Sequence, residues 1–262
     1  MFIEERHEQI LEMLRREGRI KASDIQNTFD IGFDTARRDL RILEEKGLLK
    51  RTHGGAIPAV PRVANLPTRH TPRDITEVRE NYLAIAKLAV REIGRDQVVF
   101  ITAASIGYFM AQNLPAELQF TAVTNSIVIA DELRMSSNVT VILAGGEMTP
   151  MGQFYDGYAT QLVKNIRFDK SFLTSAGFSA GFGMSVQRSR GVAFLQAVIE
   201  GTRENIALYP SEKLGAESIL RVCHAQEFGT LVTDWDAVED ELTKIEEQGI
   251  KVVVAEREPP GA

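Results

Sequence analysis

The sequence predicts an α/β protein in two parts: an N-terminal winged helix-turn-helix, then a larger domain built on a mainly parallel sheet. Three observations predict it. Apolar residues recur at helical spacing over Phe2–Glu17 and again before Lys46, and a Gly-Gly hairpin follows directly. From Ile75 onward, helical stretches alternate with short apolar runs, the pattern of a parallel sheet covered on both faces. Between the two parts, Pro58, Pro61, Pro67 and Pro72 interrupt any regular element. The boundaries so marked are a domain over 1–57, a linker over 58–74 and a domain over 75–256.

Composition narrows the class. At 262 residues the chain suits two domains, and 44% apolar residues permit a sizeable core. The net charge of −6 does not mark the whole chain as a nucleic-acid binder. The stretch Arg37–Arg51 differs, with six cations against three acids. One cysteine, Cys223, rules out an internal disulfide and fits a reducing cytoplasm. His7, His53, His70 and His224 are too scattered for a metal site, and nothing calls for a cofactor. Met1–Arg19 is charged throughout, unlike a signal peptide, and no apolar run reaches membrane-spanning length.

In the first domain, Ile3, Ile10, Leu11 and Leu14 line one face of a helix that Gly18 ends. Arg19-Ile20-Lys21 is extended. Ser23 is the expected N-cap of a short helix over Asp24–Phe29. After the turn Asp30-Ile31-Gly32, a third helix runs to about Lys46, with Gly47 as its cap. On it, Arg37, Arg38 and Arg41 share a face, while Leu40 and Leu43 turn inward. Leu48–Thr52 and Ala56–Pro58 flank His53-Gly54-Gly55 as a hairpin wing.

Three arginines alone would as readily be a solvated face. The ordered series of helix, short helix, turn, basic helix and wing points instead to a helix entering a DNA major groove. The residues assigned to DNA are Ser23, Thr35, Arg37, Arg38, Arg41, Arg51, His53 and Gly54. The arginines of the helix would meet phosphates and base edges, and Arg51 and His53 would hold the wing on the backbone or minor groove.

The linker carries Arg62, Arg69 and Arg73, which keep it soluble. Beyond it, helices are expected over Ile75–Ile93, Ser105–Asn113, Ile127–Arg134, Tyr158–Ile166, Gly191–Glu204 and Ala237–Gln248. The strands between and after them are Gln97–Thr102, Phe120–Thr124, Val139–Leu143, Phe168–Ser175, Ile206–Tyr209, Gly229–Thr233 and Val252–Ala255. In such sheets ligands bind beyond the carboxyl ends of strands. Small and polar residues gather there. Ser105, Thr124, Asn125, Gly145, Gly146, Glu147, Gly177 and Lys213 make a candidate anion cradle. Each alone reads as an ordinary turn residue; their shared position after strands argues for a site.

Ile20–Ala56 resembles the DNA-binding domain of the DeoR-type bacterial repressors of sugar operons. The matching residues are Thr35, Arg37-Arg38-Asp39-Leu40, Leu43, Gly47, Leu48, Arg51 and His53-Gly54-Gly55-Ala56. Gly32 and Ala36 depart from that pattern, which usually has Ser and an aliphatic residue there. Thr124-Asn125, Gly145-Gly146, Gly157 and Lys213-x-Gly215 match the sensor domain of the same repressors. That domain is similar to ribose phosphate isomerase and usually senses a phosphorylated sugar or polyol. The resemblance implies a cytoplasmic repressor of a carbohydrate operon, acting on double-stranded operator DNA as a dimer or tetramer.

Departures in the second half bear on the ligand. The family's loop Asp-x-Gly-Thr-Thr reads Thr102-Ala103-Ala104-Ser105-Ile106 here, without the acid or the glycine. The helix near Ala193 lacks the family's glutamate, and Pro210 replaces an aspartate before Ser211. These changes predict an altered ligand or a sensor that binds weakly. They leave two alternatives: a ligand-free oligomerisation module, or a sugar-phosphate enzyme. Isomerisation needs a positioned base, and the missing acids argue against it.

Overall fold

The structure is a computed structural model that describes residues 3–52, 54–58 and 79–257. The chain divides into two compact units, residues 1–62 and 63–262.

The first unit opens with α1 (Ile3–Glu17), β1 (Ile20–Lys21), α2 (Ala22–Phe29) and α3 (Phe33–Glu45). The wing strands β2 (Leu49–Thr52) and β3 (Gly55–Pro58) close it. The three strands form an antiparallel sheet in the order β1-β3-β2, with Ile20 opposite Ala56 and Arg51 opposite Ala56 on the other side. Ile10, Leu14, Ile25, Leu40, Leu43 and Leu49 form the core. Gly47 lies just past the end of α3 at φ 69°, a conformation that glycine adopts without a Cβ penalty. Its N–H bonds Glu44 O at 2.8 Å and the Leu48 N–H bonds Leu43 O at 2.9 Å, so the last carbonyls of α3 are satisfied by a Schellman closure. At Gly55 the wing runs so close to β1 that a Cβ would overlap the Ile20 carbonyl.

The second unit begins with α4 (Glu80–Arg91), β4 (Val98–Ile101), α5 (Ser105–Gln112), β5 (Phe120–Thr124), α6 (Ile127–Leu133) and β6 (Val139–Leu143). It continues through α7 (Gly157–Lys164), β7 (Phe168–Leu173), β8 (Gly177–Ser179), β9 (Gly183–Val186), α8 (Val192–Glu200) and β10 (Thr202–Leu208). β11 (Leu220–Cys223), β12 (Thr230–Thr233), α9 (Glu239–Glu246) and β13 (Lys251–Val254) complete it. Seven strands make one parallel sheet in the order β13-β12-β10-β7-β4-β5-β6. From β4 the chain steps outward to β5 and β6; from β7 it steps the other way. The strand order therefore reverses between β4 and β7, where the loops leaving the two strands diverge.

Alternate residues supply two cores. Ile101, Phe172 and Leu208 pack with Ile85, Phe109 and Ile129 of α4, α5 and α6. Phe100, Leu173 and Ala207 face the other way, toward Val163 and Phe194 of α7 and α8 and Ile245 of α9.

Several expected boundaries shift. Ser23 does not cap α2. That helix starts at Ala22, because the Asp24 carboxylate accepts the Lys21 N–H at 3.1 Å and closes the turn earlier. The expected helix Gly191–Glu204 ends at Glu200, and β10 already occupies Thr202–Leu208. The strand expected over Ile206–Tyr209 therefore starts earlier, its first residues hidden by their polarity. Glu204 pairs with Lys170 at 3.3 Å, and Asn205 accepts from the Ser171 hydroxyl at 2.6 Å, so each is compensated inside the sheet. The antiparallel ribbon β8-β9-β11 was not expected at all. Its strands are short, β8 and β9 each open on a glycine, and Phe178, Met184 and Val222 seal one side of the core. The linker 58–74, apart from Pro58, and the start of the expected helix at Ile75 lie outside the described residues.

Candidate nucleic-acid interface and effector site

Every third or fourth position of α3 is inside. Ala36, Asp39, Leu40 and Leu43 are buried, and this fixes the opposite face outward. Thr35, Arg37, Arg38 and Arg41 are all exposed on it. Arg37 lies 5.8 Å from the Phe33 ring, and Arg41 is 4.0 Å from Glu45. Arg38 has no ion-pair partner among the described residues, so its guanidinium is uncommitted.

Beneath this face sits a buried polar clamp. The Asp39 carboxylate accepts from Arg6 Nε at 2.7 Å and from Arg6 NH2 at 3.2 Å, and His7 Nε2 lies 3.1 Å from it. Residue type alone gave no sign of this: Asp39 reads as one more charge among arginines. Its position, three residues after the buried Ala36, was the available signal.

On the wing, the Arg51 N–H donates to Glu44 Oε1 at 2.8 Å, which ties β2 to α3. Gly54 is exposed, and its carbonyl accepts from the Ala22 N–H at 3.0 Å. Ser23 is exposed on the first turn of α2. His53 lies outside the described residues. A shallow cavity of about 360 Å³ between α1 and the end of α3, lined by Ile3, His7, Leu11 and Ile42, excludes all three helix arginines.

In the second unit the expected cradle residues stand at strand ends, but they do different work. Asn125 is fully buried. Its Oδ1 accepts from the Ala103 N–H at 3.2 Å and its Nδ2 donates to Phe154 O at 3.1 Å. Thr124 is also buried, and its hydroxyl accepts from the Ser126 N–H at 3.3 Å. Gly177 is buried where a Cβ would meet the Ala216 carbonyl, and its own carbonyl accepts from Ser175 and Ser185. These three hold the loops in place.

A Cβ at Gly145 would meet Leu143 O at 3.9 Å, while at Gly146 and Glu147 the chain places its own carboxylate. The Asp156 carboxylate lies where a Gly146 Cβ would be and accepts the Glu147 N–H. It also caps α7 by accepting the Ala159 N–H at 2.9 Å. These backbone donors hold its carboxyl below the usual carboxylate range, the Ala159 bond first. An aspartate immediately before Gly157-x-Ala159 was a legible capping signal. Gln153 and Tyr155 were missed for lack of such a signal. Gln153 Nε2 donates to Ala103 O at 3.2 Å and so joins this segment to the loop after β4. Burial pushes the Tyr155 phenol up, while its bond to Asn125 pulls the other way.

Ser105 begins α5, half-buried. Lys213 ends a short turn after β10, with Nζ 5.8 Å from the Tyr82 ring. The neighbouring Glu212 accepts from the Tyr82 hydroxyl at 3.0 Å, and Asp234 at the end of β12 accepts from Asn81 at 3.2 Å and the Ser211 N–H at 2.8 Å. The carboxyl edge therefore presents a hydroxyl at α5 and a lysine at the far side, with its acids engaged in the fold.

Residues 6–60 match the DeoR-like helix-turn-helix domain, and residues 78–235 match the DeoR C terminal sensor domain. The chain belongs to the DeoR family. Full-length relatives agree with that placement in DNA-binding transcription regulation. The transcriptional regulator GolR of Listeria innocua is 28% identical over 98% of this chain and 100% of its own. The transcriptional repressor GlcR of Bacillus subtilis is 28% identical over 98% of each. The lactose phosphotransferase system repressor of Staphylococcus epidermidis is 28% identical over 88% of this chain and 91% of its own. Among solved structures, ribose 5 phosphate isomerase A from Neisseria gonorrhoeae overlays at a TM-score of 0.38 with 12% identity, over 52% of this DeoR-family chain and 53% of that one. No helix among the described residues is long and apolar enough to cross a membrane.

Proposed function

We propose that this DeoR-family chain is a cytoplasmic repressor of a carbohydrate operon whose second unit responds to a phosphorylated sugar or polyol. The observation that carries the DNA half is α3. Its inner face is locked by Leu40, Leu43 and the Asp39 clamp, and its outer face presents Thr35, Arg37, Arg38 and Arg41 together. Such a helix reads base edges while the wing, with Ser23, Arg51, His53 and Gly54 nearby in sequence or space, meets phosphates. The relatives named as repressors favour that sign of regulation.

The effector half rests on the strand-order reversal between β4 and β7, flanked by Ser105, with Lys213 at the same edge of the sheet. Gly145, Gly146 and Glu147 belong to the same edge, and Thr124, Asn125 and Gly177 shape it from within. A binding role fits better than catalysis, since Glu212 and Asp234 are held in internal hydrogen bonds and the loop after β4 has no acid.

Selection of bound duplexes from random DNA by the full chain tests the first half. A palindromic consensus with half-sites about one helical turn apart supports a paired repressor. The segment Met1–Pro58 should bind the same duplex far more weakly, because two tethered copies gain effective concentration. Equal affinities would overturn the oligomeric reading. A thermal-shift screen with phosphorylated sugars and polyols separates a sensor from a ligand-free module.

A further inference from the structure

Most hydroxyls and amides at the carboxyl edge of the sheet are consumed by the fold. Thr124 accepts from Ser126, Asn125 spans Ala103 and Phe154, and Ser126 accepts from the Ile129 N–H. Ser175 lies 2.7 Å from the Tyr209 hydroxyl and donates to Gly177 O. Thr174, beside them, is not consumed in this way. It is 8% exposed, and its Oγ1 is sealed from solvent with no hydrogen-bond partner. A buried hydroxyl left without a partner is destabilising, and such groups in a fold ask for an explanation.

Its place supplies one. Thr174 directly follows β7, the strand at which the sheet order reverses. Ile101 pairs with Phe172 and Ala207 with Leu173, and the Thr102 N–H bonds Phe172 O at 3.1 Å. One further step of that register sets Thr174 level with Ala103 and Leu208. Phe172, two residues earlier, packs in the core with α4 and α5, so strand alternation turns Thr174 to the same side. That is the side on which α5 starts at Ser105, whose hydroxyl makes no hydrogen bond among the described residues. Two uncommitted hydroxyls thus stand on adjacent strand ends at the reversal point.

We propose that Thr174 is a specificity-determining contact of the effector site, its hydroxyl pairing with a hydroxyl of a phosphorylated sugar or polyol across from Ser105. This rests on the sensing role proposed above. The loop after β4 offers Thr102-Ala103-Ala104 and no acid, so hydroxyl recognition in this chain passes to Thr174 and Ser105.

Calorimetry with the full chain tests it against glycerol 3-phosphate, fructose 1-phosphate, fructose 6-phosphate, glucose 6-phosphate and ribose 5-phosphate. The variants are Thr174→Val, Thr174→Ser and Thr233→Val. Thr233 is the control: its Oγ1 is equally buried and unpaired, but Val232 packs in the α4–α5 core, so Thr233 turns to the opposite face. For any compound that the unsubstituted chain binds, Thr174→Val should weaken binding roughly tenfold. Thr174→Ser should stay within about threefold and Thr233→Val should match the unsubstituted chain, since each keeps the pairing group in place. Thr174→Val should melt no lower than the unsubstituted chain, because it removes an unpaired buried hydroxyl. Undiminished binding by Thr174→Val, or equal loss in Thr233→Val, overturns the inference while leaving the sensing role intact. If no compound binds the unsubstituted chain, the sensing role fails and this inference fails with it.

Discussion

Arg6 Nε donates to Asp39 Oδ2 at 2.7 Å, and this part-buried contact fastens α1 to the middle of the arginine-bearing helix. Asp39 sits between Arg38, which faces outward, and Leu40, which faces the core. The clamp therefore sets the rotation of α3 as well as its distance from α1.

Replacing Asp39 by Ala leaves the part-buried Arg6 guanidinium and His7 without their carboxylate partner, a loss of about 1–3 kcal/mol. The single tryptophan, Trp235, lies in the second unit. In a urea titration of Asp39→Ala, far-ultraviolet circular dichroism should show an early helical loss while the Trp235 fluorescence transition stays where it was. Coincident, unshifted transitions would show that the clamp carries no stability.

Arg38→Ala should leave the melting behaviour unchanged and weaken binding to a selected operator by about 1–3 kcal/mol, the worth of a bidentate base contact. Arg38 is exposed and pairs with no acid among the described residues, so truncation leaves nothing unsatisfied. Fluorescence anisotropy across sequence variants distinguishes its role. Loss confined to one base position marks a base contact; uniform loss with a shallower salt dependence marks a phosphate contact.

Asp156 gives the second unit an acid-sensitive contact. Its folded pKa is depressed by the Ala159 and Glu147 N–H groups. Its contribution is therefore complete above the unfolded value, near 4, and is lost as pH falls through the lower folded value. Asp156→Asn should be less stable than the unsubstituted chain at pH 7, and the gap should narrow as pH drops below about 4. Parallel denaturation curves at pH 7, 5 and 3.5, followed through Trp235, measure the gap. A difference that stays constant with pH would mean that the carboxylate charge is not what the loop uses.

The pattern of apolar residues carried most of the architecture. Helical periodicity placed α1 and α3, and continuous apolar runs placed β5 and β6 to the residue. What it could not carry was pairing between distant polar groups. The start of β10 reads as the end of a helix because Arg203-Glu204-Asn205 is polar, although its apolar half from Ile206 reads as strand; Lys170 and Ser171 on the neighbouring strand make those polar residues tolerable. The candidate site shows the same limit. Asn125 and Ser105 look alike as polar residues after strands, yet one is spent on Ala103 and Phe154 and the other is uncommitted.

The altered loop after β4 offers the sharpest test of the effector site. Substituting Thr102→Asp and Ala104→Gly together should strengthen binding of a phosphorylated sugar. Ala104 has extended backbone at the start of α5, so glycine there removes a methyl from the approach to the helix N–H groups. Aspartate at 102 supplies an acceptor for sugar hydroxyls. The substitution has a cost, because Thr102 is only 4% exposed and a carboxylate there must be hydrogen-bonded or lose its charge. The double variant should therefore melt lower without ligand and regain stability as a sugar phosphate is added. Calorimetry of both proteins against the same compounds decides the matter. Native binding at micromolar affinity or tighter would show that the loop is already a working site. A variant that melts lower and binds nothing would place the missing determinant on α8, whose residues Val192–Ile199 include no acid.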